Sequence, residues 1–559
     1  MTVLMRYEPL PARSAPVRRR ATRAAAAVAS GGLIVGMGAA GAAPAFAATS
    51  DDCDGTNTLT APGDGAADIQ ALLDADTAIV CLSGSFPLTE QLTFDHSLTL
   101  FGLSGAELNG QNLTRIIEGT TGSSLTVQNL AMVDGSGAFG GAILIDGDLL
   151  VENSRFDSNS AVLDGGAIYV EDSSGNDVEI IDSVFVDNAT GVADPDGYSG
   201  GAIYNRSSDF FAIQGSTFTG NSASEFGGAV FGYAVLVSDS TFTDNVSSEA
   251  GGGLYGVLMA SIDSTFTGNE SPIGGGVAGG TYGAAIGTTF VENTAELAGG
   301  GFAGYGAALV LNSTFVGNDT NGVGGALAGA EGQIALSTFL DNTAQGDEGG
   351  ESAEAVFIYP GIDDSNTMSI GGSIFAGSRG LPQLGRIDEV DAPEFADEGG
   401  NVFSTSQAVE TALTAPAEST LFSRSKTEIF GSSPALAGNG GTTQTVALVP
   451  GSPAIDAVPA DVFEDGFGFG PTASTGFAEA SEFAAASELA ATSDSPDLDQ
   501  RGEERTGLRD AGAFEFGDAE LAATGPASTN ALGWLGAALL AAGAMVVAST
   551  RGATRRATR

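Results

Sequence analysis

The sequence predicts an all-β fold, a right-handed parallel β-helix, from three observations. Phe-x-x-Asn units start at Phe156, Phe185, Phe218, Phe242, Phe266, Phe290, Phe315 and Phe339, at spacings of 29, 33, 24, 24, 24, 25 and 24 residues. Their asparagines are Asn159, Asn188, Asn221, Asn245, Asn269, Asn293, Asn318 and Asn342. Each unit is followed by glycines ending at Gly166, Gly201, Gly228, Gly253, Gly276, Gly301, Gly325 and Gly350, then a small or apolar residue, as in GGAIYV and GGALAG. Such self-similarity means a solenoid. Within a unit such as S-T-F-T the residues alternate, Phe one way and Thr the other, with no helical period. A period of 24 gives three short strands with bends, each pairing with its equivalent one coil away at about 4.8 Å. The handedness rule for parallel crossovers makes the coil right-handed.

The repeated residues then have mechanical tasks. Each Phe faces inward and stacks on the next, and each burial contributes about 1.5–3 kcal/mol. Each Asn is expected at a bend, tolerating left-handed angles and bonding to the amides above and below. The glycines are expected at corners where a Cβ would clash. Longer spacings mark loops, the longest carrying TGVADPDGYS at 190–199.

Residues 1–47 read as an export signal helix. Arg13, Arg18, Arg19, Arg20 and Arg23 form a basic region, an apolar stretch follows, and Ala45-Phe46-Ala47 supplies a small-x-small box before Ala48. Whether export runs through the general or the twin-arginine route is open. Cys53 and Cys81, the two cysteines of an exported chain, are expected to pair. Residues 48–134 read as an N-terminal cap and the first coils. In GDGAADIQALLDAD (63–76), a short helix is expected with Asp64 as N-cap and Ile69, Leu72 and Leu73 as its apolar face, covering the open first coil. Residues 135–350 are the repeat, and 351–516 are irregular coils and a closing region with an Ala-rich insert at 472–496. Residues 517–530 are a linker, 531–548 an apolar run long enough to span a membrane as a helix, and 549–559 a basic tail.

Charge narrows the partners. The formal net charge is −49, and residues 48–524 carry 68 acidic and 10 basic side chains. Such a surface repels nucleic acid. No cofactor or metal is expected; Asp194-Pro195-Asp196-Gly197 is the one loop where Ca²⁺ is weighed against an ordinary turn.

The GGA(I/V/L) and FxxN pattern over about 135–350 resembles the repeats of the polymorphic outer-membrane protein family, which implies a surface-displayed β-helix and adhesion as an expectation. The early strands TAIVCLSGSFPL, SLTLFGL and SSLTVQNLAMV look like the opening coils of pectate-lyase-like folds. The pair GNGGTTQTVALVPGSPAIDA (438–457) and DLDQRGEERTGLRDAGAFEF (497–516) is similar to the C-terminal region of the choice-of-anchor Q family, which closes bacterial surface β-helices. Asp499 is expected to pair with Arg505 and Arg509 and fix the last coil. Leu521-Ala522-Ala523-Thr524-Gly525, followed by the apolar run and by Arg551, Arg555, Arg556 and Arg559, resembles a sortase sorting signal of the LAxTG form used by high-GC Gram-positive bacteria. That resemblance implies cleavage between Thr524 and Gly525 by a sortase cysteine and transfer to a cell-wall amine, with sortase and peptidoglycan as partners. The chain is then a non-enzymatic wall-anchored surface protein whose ligand is a glycan or a host- or neighbour-cell protein. The alternative is a surface polysaccharide lyase or hydrolase. Asp363-Asp364 and Arg424-Ser425-Lys426 suggest such a site, but the single histidine, His96, is far upstream and no Gly-His-Gly exists.

Overall fold

The same residue type returning at one position in every coil is what allows the strands to pair in register. The computed structural model describes residues 50–516 apart from 62, 172–175, 192–196, 347–352, 360–366, 378–381, 387–393, 406–411, 414–415, 460–461, 463–497, 502–504 and 506–508. It is a parallel β-solenoid of the right-handed type. Thirteen strands, eleven of them carrying a Phe, form one continuous sheet, nine two- to five-residue strands form a second, and a 22-stranded sheet supplies the remaining side of every coil. Every pairing in these sheets is parallel, as in Phe185↔Phe218↔Phe242↔Phe266. Thirteen strands at about 4.8 Å give a column about 60 Å long.

Three columns run through the interior beside the aliphatic side chains of the 22-stranded sheet. Phe156 to Phe339 are buried and stack at 4.5–5.2 Å between ring centroids. The stack continues through Phe375, Phe403 and Phe422, which lie outside the Phe-x-x-Asn pattern. Upstream, the same register holds Phe86, Leu108 and Met132. The second column is asparagine. Each side chain is buried, and Asn221 shows the scheme: its Nδ2 donates to Asn245 Oδ1 at 2.9 Å and to Phe185 O at 3.1 Å. Its Oδ1 accepts from Asn188 Nδ2 and from Asn188 N. All four hydrogen-bonding positions are therefore used without water. The third column is serine, at the position two before each Phe of the repeat, with Thr288 in its place before Phe290. The backbone N of Ser183, Ser216 and Ser240 donates to the Oγ of Ser216, Ser240 and Ser264, each at 3.1 Å.

Corner geometry corrects the expectation for asparagine. The left-handed residue is the one before it: Ser158, Asp187, Asp244, Glu292 and Asp341, or Gly220, Gly268 and Gly317. The asparagine turns inward because its amide is needed by two coils, and the strain falls on a neighbour whose side chain points out. A second left-handed corner precedes the serine, at Asp182, Asp239 and Asp263 among others. The glycine corner is read one residue late in the triple-glycine coils. Gly251, Gly274 and Gly299 take positive φ, and a Cβ on the following Gly252, Gly275 or Gly300 would lie 2.2–2.3 Å from the next coil's carbonyl.

At the N-terminal end, helix α1 (Ala66–Leu73) buries Ile69 and Leu73 against the first coil, with Leu72 packed alongside. Its N-cap is Gly65 and not Asp64, because the Asp64 carboxylate is taken by Thr60 N at 2.7 Å. Cys53 and Cys81 form a disulfide with 5.8 Å between Cα atoms, tying the leading segment to strand Ile79–Ser83.

The closing region departs most from expectation. It lies along the outer face of the Phe sheet, beside coils well before the last. Gln500 Nε2 donates to Thr289 Oγ1 at 2.8 Å, and Gln500 Oε1 accepts from Thr314 Oγ1 at 2.5 Å. Thr443 donates to Gly287 O, and Ala513 N to Thr338 Oγ1. The outward threonines offer hydroxyls in a row, so a segment that folds back can be held at several coils at once. Asp499 forms an ion pair with Arg501 at 2.6 Å, and its charge also acts on Arg505 after that of Glu515. Arg505, fully buried, pairs with Glu515 at 3.2 Å and donates to Asn312 Oδ1 at 2.9 Å.

Candidate functional site

Side chains that alternate inward are committed to the columns, so recognition falls to the outward positions and the loops. On the Phe sheet, Thr217, Thr219, Thr241, Thr243, Thr265 and Thr267 are half-exposed in two rows, while Thr289, Thr314 and Thr338 are covered by the closing region. A shallow open groove lies on the same side toward the N-terminal end, bounded by Leu103, Ala131, Asn153, Arg155, Asp182 and Val184. Arg155 there is held by Asp157 at 2.5 Å.

The 22-stranded sheet carries an outward aromatic column that sequence reading missed. Tyr169, Tyr204, Phe231 and Tyr255 stack at 5.3, 4.7 and 5.4 Å, with Phe139 against Tyr169 and Phe226 against Tyr255. The signal was present in the residue after GGAI, GGAV or GGGL, which is Tyr or Phe in four consecutive coils. Tyr169, Phe231 and Tyr255 are buried and Tyr204 is half-buried, so of these four rings only Tyr204 reaches solvent in part. Acidic groups surround them. Burial raises the Asp164 carboxyl, whose Oδ1 accepts from Ser199 N at 2.8 Å. Burial first, and then the Asp164 and Glu249 charges, raise Glu225. Burial and then Asp164 also raise the Tyr204 hydroxyl. Arg206 balances this patch, 3.9 Å from Glu171 and 3.5 Å from the Tyr169 hydroxyl. Nearby, Glu179 is pushed up to about 7 by burial and then by Asp177.

Of the residues weighed for chemistry, the described Lys426 and His96 sit at different coils. Lys426 opens helix α2 (Lys426–Phe430) and is paired with Asp341 at 2.7 Å. His96 sits by the first coils, its Nε2 3.3 Å from Thr77 O. Asp363 and Asp364 lie outside the described residues, as do Asp194, Pro195 and Asp196; Gly197 is described, with a left-handed φ of 87° beside Glu225. The signal segment with Ala45, Ala47 and Ala48, Gly350, the Ala-rich insert, the motif Leu521–Gly525, the apolar run and the basic tail also lie outside them. Among the described residues no helix is long and apolar enough to cross a membrane.

Comparison with known proteins agrees with the repeat. The Chlamydia polymorphic membrane protein repeat matches residues 153–171 and 215–233, the coils of Phe156 and Phe218. No curated protein matches the chain. One solved structure aligned with it is a mannuronic acid specific polysaccharide family 6 lyase enzyme from human gut microbiota, at 14% identity and a TM-score of 0.28, covering 64% of this chain and 89% of that one. At that TM-score the likeness adds nothing to the fold, which rests on the ladders above.

Proposed function

We propose that the chain is an exported, wall-attached bacterial surface protein that displays its solenoid as a rigid rod for adhesion, with no chemistry of its own. The carrying observation is the order of parts after the rod: LAATG at 521–525, the apolar run 531–548, then the arginines. In this reading a sortase thiolate attacks the Thr524 carbonyl, Gly525 leaves as a new amino terminus, and the acyl group passes to a cell-wall amine. The apolar run holds the motif at the membrane and the arginines stay inside. The closing region, similar to that of the choice-of-anchor Q family, joins rod to anchor. Fractionation of cells tests the anchor. Thr524→Ala is expected to stay with the membrane; its recovery in the wall fraction contradicts the sorting reading. The residues that reach solvent beside that column, Tyr204, Arg206 and Glu225, are the surface offered to a glycan or a protein. A glycan array probed with the wild type and with Tyr204→Ala locates the binding there if only the wild type is retained.

A second reading, a polysaccharide-cleaving enzyme, draws on Glu179, whose carboxyl near 7 suits proton transfer at neutral pH. Product release from uronate and neutral polysaccharides, lost in Glu179→Gln, would favour it. Absence of product with and without Ca²⁺ favours the binding role.

A further inference from the structure

The chain has one histidine, and it stands at a junction that its fold does not otherwise explain. His96 directly precedes strand Ser97–Gly102, beside the turn that follows helix α1. Its ring packs edge-on against Phe94, with 6.1 Å between centroids. Nε2 faces the Thr77 carbonyl at 3.3 Å, which can only accept, so the neutral ring carries its proton there. Nδ1 then bears a lone pair. It is buried without a hydrogen-bond partner, and it faces Asp76 Oδ1 and Asp95 Oδ1, each at 3.7 Å. Two carboxylates and an imidazole lone pair pointing at one another repel unless a positive charge lies between them. A distance of 3.7 Å is too long for a hydrogen bond. It does fit two metal–ligand bonds of about 2.0–2.2 Å meeting at a wide angle. The three donor atoms all lie within 4.8 Å of one another.

We propose that Asp76, Asp95 and His96 form a binding site for a divalent transition cation, Zn²⁺ in type, at the N-terminal end of the rod. One imidazole nitrogen with two carboxylate oxygens suits Zn²⁺, whereas Ca²⁺ takes oxygen donors alone. The Thr77 carbonyl orients the ring through its other nitrogen, as such outer partners do at metal sites. Both carboxylates are exposed, so water or a donor from another molecule completes the coordination.

The single histidine makes the test specific. In the full chain in detergent, with nitrogen-15 histidine, one equivalent of Zn²⁺ is expected to move the imidazole signals to a new position with the pattern of Nδ1 coordination. Asp76→Asn with Asp95→Asn is expected to weaken that response at least 10-fold, while Asp54→Asn with Asp64→Asn leaves it unchanged. Ca²⁺ is expected to leave the signals in place. An unmoved signal in the wild type, a Zn²⁺ response equal in the double variant, coordination through Nε2, or the same shift with Ca²⁺ each overturns the proposal.

Discussion

In the coils from Phe156 to Asn342, a buried amide is satisfied by the same amide one turn away. In the closing region, a buried guanidinium is satisfied by a carboxylate, carbonyls and an amide, each occurring once. The first arrangement can be extended by adding coils, since every new asparagine brings both what it needs and what its neighbour needs. The second arrangement fits one place only, beside Asn312, and so positions the closing region on the rod. A self-satisfying ladder gives length; unlike partners give location.

The largest expected effect separates the two. Arg505→Ala leaves Glu515 and Asn312 facing a buried void and should cost about 3–5 kcal/mol. The loss should be local: limited proteolysis should cut within 436–516 while the coils stay resistant. Simultaneous cutting of the coils would show that the two regions are not separable. Phe242→Ala should cost about 3–4 kcal/mol and lower the urea midpoint of the coils themselves, because a cavity opens between Phe218 and Phe266. Asn245→Ala should cost about 1–3 kcal/mol, since it strands the Nδ2 of Asn221 and a proton acceptor on Asn269. An unchanged melting temperature would mean the asparagine column contributes nothing to the coils.

The smallest effect depends on pH. Asp263 is pushed up to about 7, by burial first and by the Asp239 charge second. The folded state therefore holds this proton more tightly than the unfolded chain. Stability should fall as pH rises from about 4 toward 7, then level off. Asp263→Asn should flatten that slope and be the more stable protein at pH 8; a slope unchanged in the variant would remove Asp263 as its cause.

How much of this could be read from the residues follows the same division. The Phe and Asn columns were legible because one residue type returns at one phase. The serine column was equally periodic and was missed, although alternation already placed Ser216 on the same side as Phe218. The inward turn of asparagine was not legible, because which of two adjacent residues takes the left-handed angle depends on the amide bonds between coils. The course of the closing region was not legible either: Thr314 and Gln500 meet across 186 residues with no periodic signal. The outward aromatics stood in the repeat but needed the sheet to show that they stack.

Dipolar distances between spin labels test the stacked coil most directly. With one label at Glu107→Cys and the second at Thr217→Cys, Thr241→Cys or Thr265→Cys, the pairs lie four, five and six strands apart in the Phe sheet. Distances of about 19, 24 and 29 Å between the labelled positions, rising by about 4.8 Å per coil, are predicted. Distances that stay level or change irregularly along this series would contradict the solenoid.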